Sequence, residues 1–318
     1  MTSMTKDYYE LDPDGDVTFV FTRIDPDTVN QAPGPKNAPH ESTNAQVTGG
    51  SVERASSSVA GKKVQKSKQR VSTSPVFKNM LHGPWKEAQG LRLGDSEIEM
   101  DWQNVDAMLL LMNAIHGNWP DIPLDVSLEM LVEMATLVDY YNCRKAIHHA
   151  LEVWIRNLLG GLANASSDDT VRWIWISWVL RPTDVFRDAT YRAVTQSKGP
   201  ISTIGLPIPQ PIIDAIEKRR EQGIKTTLNS LRRLVIDLWD GRKSCSFECD
   251  SFRLGALIKQ VHGKGFLRAT DEGTIPSISL DQLNNFLVDI KSPAWREVTG
   301  KRVAIMTSTP SILAPYSL

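Results

Sequence analysis

Hydrophobic and polar positions divide the chain into a β-type pattern near its start, a long polar stretch, and helical patterns through most of the rest. The segment "DGDVTFVF" at residues 14–21 is a turn followed by β-branched and aromatic residues, which predicts a strand. From residue 25 to about residue 70 the chain is rich in Pro, Gly, Ser, Asn and Lys, with few large apolar residues. Such a composition cannot offset the entropy of ordering a backbone, so it predicts a disordered insertion.

A short helix is predicted directly after this insertion, in the segment "STSPVFKNMLHG". Ser74 is a suitable N-cap, and the proline after it suits a first helical position because it has no N–H to leave unpaired. Phe77, Met80 and Leu81 recur at helical spacing, and a glycine two residues later favours termination. An isolated helix this short is marginal in water. We therefore expect Phe77 to be buried against the helices that follow.

Three amphipathic helices are predicted next, after a short half-exposed strand at residues 97–100, "EIEM". Apolar residues repeat at intervals of three and four in the segments 102–116, 127–141 and 147–159. Each of these helices has only one apolar face. Three such faces require a shared core, which the short helix beginning after Ser74 is well placed to join.

The second half of the chain also has mainly helical patterning. Capping signals and apolar stripes predict a helical C-terminal domain at residues 162–300, followed by a weakly structured tail at residues 301–318. Its first helix carries Trp173, Trp175 and Trp178. These tryptophans are candidates for a binding cleft, but aromatic residues clustered on a helix are more often core, and we predict core.

Composition restricts the class of protein. A formal net charge of −1 over 318 residues provides no overall basic field for nucleic acid. The acidic first residues lack the apolar run of a secretory signal, and the longest apolar run, "WIWISWVL", is far shorter than the roughly 20 residues that span a bilayer. Three cysteines suit a reducing compartment. We predict an intracellular protein of the cytoplasm, the nucleus or both, with no membrane partner.

One strongly basic cluster stands near the end of the polar stretch. It is "KKVQKSKQR", with Lys62, Lys63, Lys66, Lys68 and Arg70 and no acidic residue among them. A solvated basic linker is the favoured interpretation, and a nuclear-localisation or polyanion-binding segment is the alternative.

The order of motifs resembles that of a known family. "GDVTFVF", "STSPVFKNML", "KEA", "EIEMDWQNVDAMLLLMNAIHG" and "SLEMLVEMATLVDYYNC" follow one another as in the BTB/POZ domain, particularly its fungal versions. Leu137, Asp139, Tyr141 and Cys143 match the Leu-x-Asp-x-Tyr-x-Cys pattern of that family. The second half is similar to the C-terminal region of uncharacterised filamentous-fungal BTB proteins.

The resemblance implies an α+β fold: a BTB/POZ-like domain at residues 12–159, with a small sheet, a helical cluster and the disordered insertion at about 25–70, followed by the mainly α-helical domain. It implies a non-enzymatic protein-interaction module. The partner would be the chain itself or another protein, such as a cullin scaffold for which it acts as a substrate adaptor in ubiquitin transfer. The alternative is a nuclear transcription or chromatin regulator. The family normally has a second strand before Ser-Pro, where this chain is polar, so an incomplete sheet is expected.

Catalytic and metal-binding motifs were sought in the sequence. It contains no P-loop, G-x-G-x-x-G, G-x-S-x-G or H-E-x-x-H motif, so we predict neither an enzyme nor a cofactor. The candidate metal ligands are Cys245 and Cys249, with His262 further along. A structural zinc site normally takes four ligands, and three are visible here. We therefore favour a packed or free-thiol cysteine pair over a zinc site, and predict no metal.

Overall fold

A computed structural model of the protein divides the chain into two compact units, with the division after Asn157. The described part is mostly helical and contains one small sheet. None of its helices combines the length and apolar character needed to cross a membrane. The residues described are 8–11, 17–22, 61–66, 74–94, 97–100, 104–242, 246–267 and 275–291.

The sheet of the first unit has four strands in the order β1-β3-β2-β4. They are β1 (Tyr8–Glu10), β2 (Val17–Thr22), β3 (Gly61–Lys66) and β4 (Glu97–Met100). Strand β2 runs antiparallel to β3 and parallel to β4, and β1 runs parallel to β3. The alternating buried residues of β2 and β4 lie on one face of the sheet, which is the period-two pattern of a half-buried strand.

Strand β3 corrects two expectations. The predicted disordered insertion at 25–70 is wrong for residues 61–66, which form a strand between β1 and β2. The sheet therefore contains a strand within the segment whose polar sequence led us to expect an incomplete sheet. A strand between two neighbours is stabilised by backbone hydrogen bonds on both sides, which its polar composition does not reveal. Residues 25–60 and 67–70 lie outside the described residues.

Five α-helices are described in the first unit. Glycine or asparagine in the left-handed conformation ends two of them: Gly117 has φ 75° and Asn142 has φ 49°. The helices are α1 (Pro75–His82), α2 (Lys86–Arg92), α3 (Val105–His116), α4 (Leu128–Tyr141) and α5 (His148–Leu158), with 3-10 turns at Trp119–Asp121 and Arg144–Ile147.

Helix α1 docks into the core of this unit, as its apolar face predicts. The Phe77 ring is fully buried and stacks on Tyr141, with ring centroids 4.2 Å apart, while its edge contacts Phe19 of the sheet. The buried Ser74 hydroxyl caps α1 by accepting from the Phe77 N–H at 3.2 Å and donates to the Tyr141 carbonyl. This contact joins the start of α1 to the end of α4.

The second unit is helical in its described part. Its helices are α6 (Ser167–Leu180), α7 (Thr183–Gln196), α8 (Gln210–Trp239), α9 (Phe247–His262) and α10 (Leu280–Val288), after a 3-10 segment at Leu159–Asn164. Trp173 and Trp175 are buried, as predicted, whereas Trp178 is partly exposed.

Helix α8 is continuous over 30 residues and passes through Gly223 without a break. A β-carbon at Gly223 would lie 2.9 Å from Leu280 Cδ2, so the glycine lets α10 approach α8 closely. The core around this contact combines residues of α8, α9 and α10, among them Ile224, Leu257 and Leu283.

Candidate interaction surface

Two of the three candidate metal ligands, Cys249 and His262, are not brought together. Cys249 and His262 lie near opposite ends of α9, thirteen residues apart. At about 1.5 Å of rise per residue, they are separated by roughly 20 Å along the helix axis and cannot bind one ion. Cys245 lies outside the described residues. No group of three metal-ligating side chains occurs in the described part of the chain.

Cys143 and His148 of the first unit do not form a catalytic pair with each other. Cys143 is a buried free thiol, and burial raises its pKa to about 12. Burial also raises the pKa of the neighbouring Tyr141. His148 is exposed on α5, with its Nε2 atom 3.3 Å from Glu152 Oε1 one turn later. None of these contacts forms a nucleophile with an adjacent base.

A polar groove of about 240 Å³ lies in the second unit, between the start of α6 and the end of α7. The Arg192 guanidinium at this groove donates to the carbonyls of Ala163 and Ala165 at 2.6 and 2.7 Å, so it fixes the preceding 3-10 segment. Its lining includes the Asp168 carboxylate, the Lys198 amine and hydroxyl side chains such as those of Ser167 and Thr170.

Between α3 and α4 the chain projects large apolar side chains. We call residues 119–125 the presented loop. The side chain of Trp119 is 50% exposed and that of Leu124 is 73% exposed. Exposure of two large apolar residues within six positions contrasts with α3, where most apolar residues are buried.

Two side chains of α5 anchor the backbone of the presented loop. The buried Trp154 ring donates from Nε1 to the Pro123 carbonyl at 2.7 Å. Asn157 donates from Nδ2 to the Leu124 carbonyl at 3.1 Å and to Asp125 Oδ1 at 2.8 Å. Two hydrogen bonds to the backbone and one to the Asp125 side chain thus hold the segment around Leu124 while the Leu124 side chain is exposed.

Local sequence also restricts the presented loop. Gly117 ends α3 in the left-handed conformation, which turns the chain sharply into the loop. Pro120 and Pro123 fix their own φ angles and so reduce the number of conformations available. At the other end, the Ser127 hydroxyl caps α4 by accepting from the Met130 N–H at 3.1 Å. The presented loop is therefore short, and two prolines and the helix cap that follows it restrict its conformation.

The presented loop lies in a strongly acidic stretch of sequence. Between Arg92 and Arg144 the chain contains ten Asp and Glu residues and no Lys or Arg. Asp121, Asp125 and Glu129, in the loop and the first turn of α4, are all exposed. The near-neutral net charge of the whole chain hides this local excess. The sequence already shows this acidic excess, as a long interval without Lys or Arg, and we drew no prediction from it.

No protein-family model, curated protein or solved structure matches the chain. The presented loop is therefore the candidate functional site because of its own geometry. It exposes apolar side chains, Trp154 and Asn157 of α5 hold its backbone, and acidic residues surround it in sequence.

Proposed function

We propose that the first unit is a BTB/POZ-type protein-interaction module without enzymatic activity, and that the presented loop is one of its contact surfaces. The observation that carries the proposal is the exposure of Trp119 and Leu124 on an anchored backbone. Binding energy at interfaces is concentrated in a few large side chains, and a pre-ordered backbone loses less entropy on binding.

The order of elements supports the assignment to this family. Three strands, two short helices, a fourth strand and three longer helices follow one another, and those that fall on the motifs carrying the resemblance keep the sequence order of those motifs. Strand β3 occupies the position before Ser74 where the family normally has its second strand. The buried Phe77 lies at the centre of this arrangement. Fold alone does not determine the partner, so the proposal depends on the surface.

The specific form of the proposal is a substrate adaptor for a cullin-type ubiquitin ligase. A pull-down with the purified amino-terminal region of a cullin tests it, using the intact chain, Leu124→Asp and a control variant, Leu93→Asp. Leu93 is 87% exposed at the end of α2, so the control makes the same chemical change elsewhere on the first unit. We expect Leu124→Asp to weaken binding at least about tenfold, which corresponds to about 1.4 kcal/mol, and the control to bind normally.

The possible results separate the two parts of the proposal. Failure of the intact chain to bind any cullin would refute the adaptor form. Equal binding by the intact chain and Leu124→Asp would refute the role of the presented loop. Matching circular dichroism spectra and melting temperatures would establish that both variants are folded.

The alternative is a nuclear regulator that uses the basic cluster of residues 62–70. Deleting this cluster is an unsuitable test, because Lys62, Lys63 and Lys66 belong to the central strand β3. Substituting Lys68 and Arg70 with glutamine leaves that strand intact. If the alternative is correct, the double variant should lose nuclear accumulation of a fluorescent fusion. Unchanged localisation would reject it.

A further inference from the structure

We propose that the presented loop binds a basic amphipathic segment of a partner protein, one that covers Trp119 and Leu124 with apolar side chains and meets the surrounding carboxylates with Lys or Arg. This inference rests on the proposed function and specifies the chemical class of the partner. It follows from the coincidence at one place of exposed apolar side chains and the exposed carboxylates of Asp121, Asp125 and Glu129.

The apolar component determines where the partner binds. Leu124 is 73% exposed, more than Trp119 at 50%, and its carbonyl already accepts a hydrogen bond from Asn157. A partner would therefore contact the Leu124 side chain and not its carbonyl, which already has a hydrogen-bond donor. Covering Leu124 and Trp119 would remove apolar surface from water, which is the main favourable contribution to most protein associations.

The charged component determines which partner binds. Asp121, Asp125 and Glu129 are exposed in and beside the loop, and the flanking sequence contains no Lys or Arg until Arg144. One basic residue, Arg156, precedes Asn157 along α5, so the neighbouring helix compensates only part of this charge. An acidic partner would be repelled, whereas a basic partner would be attracted and would associate faster.

A pair of peptides tests the inference directly. Both have about 16 residues and the same leucines at helical spacing, but the remaining positions are lysine in one and glutamate in the other. Binding of each fluorescein-labelled peptide to the intact protein is measured by anisotropy. We expect the lysine peptide to bind and the glutamate peptide to bind at least about tenfold more weakly. Affinity for the lysine peptide should fall as ionic strength rises from about 0.01 M to about 0.15 M.

Variants locate the binding. Leu124→Ser, which removes the apolar side chain without adding a charge, and the double variant Asp121→Asn with Glu129→Gln should each weaken binding of the lysine peptide about fivefold or more. Glu87→Gln on α2 is the matched control and should have no effect. Neither double-variant substitution alters a hydrogen bond that anchors the loop.

Three results would overturn the inference: comparable binding of both peptides, binding of the lysine peptide that none of the loop variants changes, and binding of neither peptide. These failures are distinguishable from failure of the proposed function. If a cullin binds the intact chain and loses affinity for Leu124→Asp, the interaction surface stands even when the peptides show no preference for basic charge.

Discussion

Burial determines how reactive the cysteine thiols of the two units are. Cys143 lies directly after α4, and burial raises the pKa of its thiol to about 12. A thiol reacts through its thiolate form, so a raised pKa and a buried sulfur both suppress reactivity. Cys249 is only partly buried near the start of α9.

This contrast predicts the order of alkylation. At pH 8 the thiolate fraction of Cys143 should be about 10⁻⁴, and iodoacetamide should modify Cys249 well before Cys143. Peptide mass spectrometry over a time course measures the order, and a urea-unfolded sample gives the control in which both react readily. Rapid labelling of Cys143 in the folded protein would contradict its burial.

Asp250, in the first turn of α9, is a buried acidic residue. It is 2% exposed, and within the described part of the chain neither of its carboxylate oxygens has a hydrogen-bond partner. An acidic residue near a helix N-terminus gains about 0.3–1 kcal/mol from the helix dipole. The cost of burying an unpaired polar group, about 1–3 kcal/mol, exceeds this gain.

Replacing Asp250 with asparagine should therefore raise the free energy of unfolding, by about 1 kcal/mol, because the substitution removes the buried charge and keeps the shape. Urea denaturation of the intact chain measures this change. Asp168→Asn is the control: Asp168 occupies the first turn of α6 but is exposed, so its substitution should be near neutral or slightly destabilising. A loss of stability in the Asp250 variant would show that its carboxylate is stabilised.

Among the secondary-structure elements, α1 illustrates how a local sequence signal and a distant contact combine. Ser74 performs two functions there: it caps the helix and donates to the carbonyl of Tyr141 at the end of α4. Ser127 caps α4 in the same manner but is exposed. The two serines therefore differ mainly in burial and in one tertiary hydrogen bond.

Ser74→Ala should accordingly be more destabilising than Ser127→Ala. Loss of an exposed cap costs about 1 kcal/mol. Loss of Ser74 also leaves the Tyr141 carbonyl without this donor in a buried environment, so we expect about 2–3 kcal/mol in total. Chemical denaturation of the two variants in parallel provides the comparison. Equal losses would show that the contact between α1 and α4 contributes little.

These elements also show why some features could be predicted from the sequence and others could not. The signals of α1 lie within twelve residues, and its cap and its buried Phe77 were predicted correctly. Strand β3 depends on pairing with β2 some forty residues earlier, and its polar sequence gives no period-two apolar pattern. The anchoring of Leu124 by Asn157, 33 residues away, is likewise a tertiary contact that spacing does not reveal.

At the scale of the whole molecule, charge is distributed unevenly along a nearly neutral chain. The interval from Arg92 to Arg144 has only acidic charges, whereas α8 carries Lys218, Arg219, Arg232 and Arg233 on its exposed surface. Such segregation influences association more than folding. The acidic interval belongs to the first unit, whereas α8 of the second unit contains six Lys or Arg and four Asp or Glu residues.

The most direct test of the central claim is quantitative affinity capture with mass spectrometry on the intact chain, Leu124→Asp and Leu93→Asp expressed at equal levels. We expect a defined set of proteins to be recovered with the intact chain and with Leu93→Asp and to be depleted at least about tenfold with Leu124→Asp. Recovery of the same proteins in the same amounts with all three chains would contradict the assignment of the presented loop as the interaction surface.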